Sequence, residues 1–405
     1  MVTIKDADAV QILDSRGNPT VRVILSSEQY KATANVPSGA STGSHEAHEL
    51  RDGDEPYDGK GVQDACENVR TVVREAVVGK AYTSVEEFDN ALIVLDGTEH
   101  KSNLGANAIL GCSIAFCRLL AKSQGQHPHA LFGKNVELPT PYCNIINGGV
   151  HAGNEITIQE FMVVPHGFDT FATKTQAVAE IYAELKQLIT KRYGSDAVGV
   201  GDEGGFAPPL KKTRDALNLI MQAVQKRGYG GKVALAIDAA ASEFYNDGVY
   251  DVDGTHMEPE ELLTYYEALI EEYPIISLED PFHEDDFSRY AALLDSIGES
   301  CQIVGDDLTV TNVERVQQAI DKGSANSLLL KVNQIGSVSE SIEAAQLAME
   351  NGWTVMVSHR SGETEDPFIM DLAIGIGATQ VKIGAPCRGE RTAKYNRLLE
   401  IEHLH

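Results

Sequence analysis

Two rhythms of apolar residues run along this chain. From Leu138 onward, the short runs PTPYCNII, ITIQEFMVV, VALAID, IISLED, QIVGDD, SLLLKV, WTVMVS and TQVKIG alternate with longer stretches of helical period, such as DTFATKTQAVAEIYAELKQLITKRY and SVSESIEAAQLAME. Brief apolar runs separated by amphipathic helices predict parallel strands with crossover helices. The first two runs are joined by only a Gly-rich loop, so a regular β/α repeat is broken at its start. The predicted fold is α/β: a (β/α)8-type barrel with an irregular start over residues 135–405. An open doubly wound sheet is the rival, but no Gly-rich nucleotide loop follows a first strand.

The earlier part reads differently. Strand patterns in AVQILDSRGNPTVRVILSS and QYKATANVPS precede helical stretches in DACENVRTVVREAVV and NAILGCSIAFCRLLAKSQ. Strands followed by helices predict an α+β N-terminal domain over residues 1–134. Gly17 to Pro19 interrupts the first strand pattern. The small-residue segment Pro37 to Gly43 is either a closing flap or an ordinary turn.

Length and composition narrow the class. At 405 residues the chain accommodates two domains, one of them a barrel of about 250 residues. No apolar stretch reaches the roughly 18 residues a membrane helix needs, and the start lacks a signal core, so the expected location is cytoplasmic. Six scattered cysteines (Cys66, Cys112, Cys117, Cys143, Cys301, Cys387) form no CxxC pair and predict buried free thiols. A net charge of −27 opposes binding to nucleic acid and anionic membranes. The charges are dispersed, which suits solubility rather than an acidic tail.

Chemistry collects at the ends of the later strand runs. Asp238 closes VALAI, Glu279 closes IISL, Asp306 closes QIVG and Lys331 closes SLLL. The last three are about one strand-plus-helix unit apart, which places them at corresponding strand ends. Mutually repelling carboxylates beside a lysine call for a cation, and hard oxygen ligands favour Mg2+ over zinc. Singly, each carboxylate reads more readily as a cap of the following helix; jointly, at strand ends, the metal reading is much stronger. Lys331 directly follows three leucines, where a charge is costly unless it faces a polar mouth.

SGASTG from Ser38, INGGVHAGN from Ile146, QEFM from Gln159, GDEGGFAP from Gly201, SLEDP from Ser277, GDDLTVTN from Gly305, LLLKVNQIGS from Leu328 and SHRSGETED from Ser358 occur in order. Together they resemble the enolase family of glycolytic and gluconeogenic 2-phosphoglycerate dehydratases. The likeness extends from ILDSRGNPTV to AKYNRLL. It implies reversible loss of water from 2-phosphoglycerate to give phosphoenolpyruvate. Enolase-superfamily sites are a known case of a Lys or His base working with one or two Mg2+ ions.

The resemblance implies that Asp238, Glu279 and Asp306 hold the first Mg2+, and that Ser41 ligates a second arriving with substrate. Lys331 would be the base at carbon 2. Glu203 would protonate the departing hydroxyl, with Glu160 assisting. Arg360 and Ser361 would bind phosphate, as a guanidinium fork and a hydroxyl can. Lys382 would meet the substrate carboxylate, and His151, Gln159 and His359 would line the pocket. A homodimer or larger homo-oligomer is implied as well.

Two alternatives differ in testable ways. Racemases and lactonising enzymes of the same superfamily carry Lys-x-Lys on the second barrel strand, where this chain reads TIQEFMVV. A noncatalytic protein on the same scaffold would have no need for Glu160, Glu203, Lys331 and Arg360 together. The segment from Asp238 to Glu279, which includes a mobile loop of the family, looks abbreviated.

Overall fold

The computed structural model describes residues 1–40, 42–53, 56–133 and 136–405. A three-stranded antiparallel sheet comes first: β1 (Asp6–Leu13), β2 (Pro19–Ser26) and β3 (Lys31–Asn35). The interruption at Gly17 to Pro19 is the β1–β2 turn. Asp14 Oδ1 accepts from the N–H groups of Arg16 and Asn18 at 2.8 and 2.9 Å, and Gly17 takes a φ of +81°. Pro19 pairs with Leu13 at the first position of β2, the strand position a proline tolerates best. Helix Ala106–Ser123 is apolar nearly all round, because it is covered by the sheet on one side and by the rest of the protein on the other.

Eight further strands close into a barrel: β4 (Thr140–Asn147), β5 (Glu160–Val164), β6 (Ala234–Asp238), β7 (Ile275–Glu279), β8 (Gln302–Gly305), β9 (Ser327–Leu330), β10 (Thr354–Ser358) and β11 (Gln380–Lys382). Each coincides with one of the apolar runs. The irregular start is a reversed strand. β5 pairs antiparallel with both β4 and β6, while the other neighbours are parallel, including β11 with β4, which shuts the ring. Inside lie Tyr142, Met162, Val164, Ala234, Ala236, Val304, Leu329 and Met356, a filled core rather than a channel.

Helices begin where the sequence caps them. The Thr170 hydroxyl accepts from the Thr173 N–H at the start of Phe171–Tyr193, and Ser337 does the same for the Glu340 N–H at the start of Val338–Glu350. The segment after Asp238 folds as a small meander (Tyr245–Asn246, Val249–Val252, Thr255–Met257) before helix Pro259–Glu272. All six cysteines are free thiols, five buried and Cys387 half-buried. Among the described residues no helix is long and apolar enough to cross a membrane.

Candidate active site

Strand register alone aligns a row of charge. Glu160 opens β5 and is paired with Asp238 at the end of β6, which is paired in turn with Glu279 at the end of β7. Because β5 runs backward, its first residue reaches the same mouth as the last residues of its neighbours. Across the ring, Ser358 at the end of β10 pairs with Lys382 at the end of β11. Asp306 and Lys331 each follow directly on the last residue of β8 and β9.

The carboxylates and lysines neutralise one another there. Lys382 Nζ donates to Asp238 Oδ2 at 2.9 Å and to Glu279 Oε1 at 2.8 Å, and lies 3.3 Å from Glu160 Oε2. Lys331 Nζ is paired with Asp306 Oδ2, whose other oxygen accepts from Gln334 Nε2 at 2.8 Å. All of these groups are buried. Burial would pull both lysine pKa values down, but the carboxylates outweigh it and raise both, that of Lys382 strongly.

The donor set suits a hard dication. Among the described residues the all-carboxylate set that converges within 4.8 Å is Asp280, Asp306 and Asp307, beside a His151, Glu160 and Glu203 set and an outer His45, Glu284 and Asp285 set; Asp238, Glu279 and Asp306 do not converge so tightly, as Lys382 and Lys331 are bonded to them. Glu279 Oε2 is nevertheless buried without a partner, a lone acceptor in a cluster of carboxylates. Carboxylate oxygens with no sulfur fit Mg2+.

Next to this row is a second cluster. His151 Nδ1 lies 3.5 Å from Glu160 Oε1 and 3.8 Å from Glu203 Oε1. Glu203 Oε2 accepts from Asn144 Nδ2 at 3.0 Å and is 3.3 Å from His359 Nε2. The two carboxyls have separated in pKa, as neighbouring acids should. Burial, then the Glu203 charge, pushes Glu160 well up; Glu203 is held low, against burial, by His359, His151 and Arg391 around it. Both histidines are pulled down by burial, His359 to about 3.

The phosphate-binding candidates face the N-terminal domain. Arg360 donates to both oxygens of Glu46 at 3.1 Å and to Asn333 Oδ1 at 2.9 Å. Ser361 Oγ accepts from the Ala40 N–H at 2.6 Å. Ser38 and Gly362 exchange backbone hydrogen bonds, while Ser44 donates to Glu284 through both N–H and hydroxyl. Ser38 and Ala40 on one flank of that segment, and Ser44 on the other, are thus tied to barrel residues. Ser41, the expected ligand of a second ion, lies outside the described residues. Gln159 Nε2 is 3.4 Å from Asp238 Oδ2.

One small cavity is walled by His151, Gln159, Glu160, Glu203, Asp238, Lys331, Ser358, His359, Arg360, Ser361 and Lys382. Reading by motif missed the residues that hold these in place. Asp280, at φ +41°, accepts the N–H groups of Asp306 and Asp307 at 3.0 and 2.7 Å and so orients that turn. Burial and neighbouring aspartates raise its pKa to about 7. Doubled acids, Glu279-Asp280 and Asp306-Asp307, were the available signal. Asn144, Asn333 and Glu46 carried none, because a single polar residue has no period.

Two family profiles match the chain: "Enolase, N-terminal domain" over residues 4–131 and "Enolase, C-terminal TIM barrel domain" over residues 135–404. The protein named Enolase from Methanocaldococcus jannaschii is 52% identical, with 98% of this chain and 95% of that protein covered. Those of the same name from Methanopyrus kandleri and Thermococcus kodakarensis are 51% and 49% identical, over 99% and 98% of this chain and 96% and 94% of theirs.

Proposed function

The chain belongs to the enolase family of carbon–oxygen lyases, and from that premise we propose that it interconverts 2-phosphoglycerate and phosphoenolpyruvate, with Lys331 as base and the Glu160–Glu203 pair as proton donor. The observation that carries this reading is the register of Glu160, Asp238 and Glu279, which sets acids on one side of the mouth opposite Lys331. Proton removal and hydroxyl loss need groups on different sides of the substrate.

Asp238, Glu279 and Asp306 would hold Mg2+, with Ser41 reserved for a second ion. Bound there, the metal supplies positive charge against a substrate carboxylate that gains a further charge when carbon 2 is deprotonated. Lys331 accepts a proton only as a neutral amine, so its ion pair with Asp306 must loosen first. Burial then favours the neutral form. On the other side, Glu160 and Glu203 together supply the proton for the leaving hydroxyl, with His151 Nδ1 between them at 3.5 and 3.8 Å. Arg360 and Ser361 exchange their contacts with Glu46 and Ala40 for phosphate oxygens, and Lys382 turns from Asp238 and Glu279 toward the substrate carboxylate.

The same reading divides the chain into a capping domain, 1–134, and a catalytic barrel, 135–405, and places a homodimer or larger homo-oligomer in the cytoplasm. The test is ultraviolet detection of phosphoenolpyruvate formed from 2-phosphoglycerate, with Mg2+ and then with excess chelator. Turnover that chelator abolishes supports the reading; a folded protein without turnover at any Mg2+ concentration refutes it.

A further inference from the structure

We infer that Arg391 is a positioning residue for the reaction: it fixes the tautomer of His359 and clamps the phosphate-binding pair to the loop that carries Glu203. The inference rests on the function proposed above. Arg391 lies in the first turn of helix Gly389–Leu404 and is completely buried. Nη1 donates to His359 Nδ1 at 2.6 Å and to the Arg360 carbonyl at 2.5 Å; Nη2 donates to the Asp202 carbonyl at 2.9 Å and to the Ser361 carbonyl at 2.6 Å.

None of these four acceptors carries a charge. Among the described residues the carboxylate in ion-pair range of the guanidinium is that of Glu390, whose Oε1 is 3.5 Å from Nε, and Nε itself has no hydrogen-bond partner. A buried cation held by three carbonyls and an imidazole gives up hydration for geometry. Two consequences follow from the donor chemistry. A guanidinium has no acceptor and does not deprotonate in proteins, so His359 Nδ1 must present its lone pair. The ring hydrogen is then on Nε2, which lies 3.3 Å from Glu203 Oε2 without a hydrogen bond in this conformation, so His359 presents a fixed N–H on the side of that acid rather than a proton reservoir.

The second consequence is spatial. Residues 360 and 361 belong to the segment after β10, and residue 202 to the long connection between β5 and β6. One rigid fork spans both, so the phosphate-binding pair and the acid keep a constant separation. A lysine at 391 has three donors radiating from one point and cannot reproduce this span.

The test compares Arg391→Lys and Arg391→Met with wild type for turnover, KM and exchange of the carbon-2 proton. Histidine ring nitrogens are read by 15N NMR, His359 being assigned by its loss in His359→Gln. We expect a bare Nδ1 on wild-type His359 and a changed tautomer in Arg391→Met. Dehydration should fall roughly 100-fold in both variants, the scale of a misplaced catalytic group. Carbon-2 exchange, which depends on Lys331, should fall by less than about 10-fold. A proton on wild-type Nδ1, or equal losses of dehydration and exchange, would overturn the inference. If neither variant folds, the wild-type tautomer decides alone. If wild type turns over no 2-phosphoglycerate, the proposed function fails, while the NMR result still decides the bond from Arg391 to His359.

Discussion

Lys382 Nζ is 2.9 Å from Asp238 Oδ2, so an ammonium occupies the side of a carboxylate that a cation would also seek. Glu279 shares the same ammonium at 2.8 Å. A metal held there, as proposed, would compete with the lysine for one set of oxygens.

Replacing Lys382 by Met should expose that competition. Removing one partner from a buried ion cluster costs about 3–5 kcal/mol. The metal-free variant should melt well below wild type, and Mg2+ should raise its Tm by more than it raises that of wild type. Thermal unfolding with and without chelator measures both shifts. Equal Mg2+ shifts in the two proteins would remove the competition argument.

Lys331 and Glu203 should separate the two halves of the reaction. Lys331→Ala is expected to abolish carbon-2 exchange while substrate still binds. Glu203→Gln is expected to retain exchange and lose dehydration by roughly two to four orders of magnitude, the usual worth of a positioned acid. Isotope exchange followed by NMR, beside the ultraviolet assay, reads both. Equal loss of exchange in the two variants would reverse the division of roles.

Gly384 should be intolerant of a single methyl group. It takes a φ of +77°, and a Cβ there would come within 2.7 Å of the Glu203 carbonyl and 3.0 Å of His359 Cε1. Gly384→Ala is expected to cost about 1–3 kcal/mol from backbone strain and to reduce turnover by displacing Glu203. A variant with wild-type kcat would show that the acid loop yields without consequence.

Asp89 makes stability depend on pH far from the site. Its Oδ2 accepts from the Ser339 N–H at 2.9 Å, at the start of helix Val338–Glu350, while Oδ1 is buried without a partner. Burial raises its pKa to about 6. The folded state therefore binds this proton more tightly than the unfolded chain does. The stabilisation is complete below about pH 4 and is lost as pH rises through about 6, in total about 3 kcal/mol. Asp89→Asn should flatten the stability profile across that window, as chemical denaturation at several pH values would show. An unchanged profile would mean that the carboxyl does not titrate there.

How much of this was legible beforehand depended on whether neighbours in sequence are neighbours in function. Strands were legible because eight apolar runs bounded by turns leave little else to predict, and the place of Asp238, Glu279 and Lys331 at strand ends was legible because each closes its run. The reversal of β5 was visible only as a missing helix between the first two runs. Glu46 and Arg391 were beyond reach: one meets Arg360 from a loop of the other domain, the other from the C-terminal helix. The meander after Asp238 was likewise missed, since its strands are two to four residues long.

The reversed strand also bears on how the barrel assembles. β4 and β5 form a hairpin whose pairing Asn147 to Glu160 closes a short loop, whereas the parallel pairings wait on intervening helices and the last joins Thr140 to Gln380. Loop-closure entropy rises with separation, so the hairpin is the least costly pairing in the ring to form and the β4–β11 seam the most costly. Pulsed hydrogen exchange during refolding should protect β4 and β5 amides early and those of β11 late. Lys382 rides on that last strand, so its neighbouring acids remain uncompensated until the ring is shut, and the folding chain carries its greatest local repulsion just before it finishes.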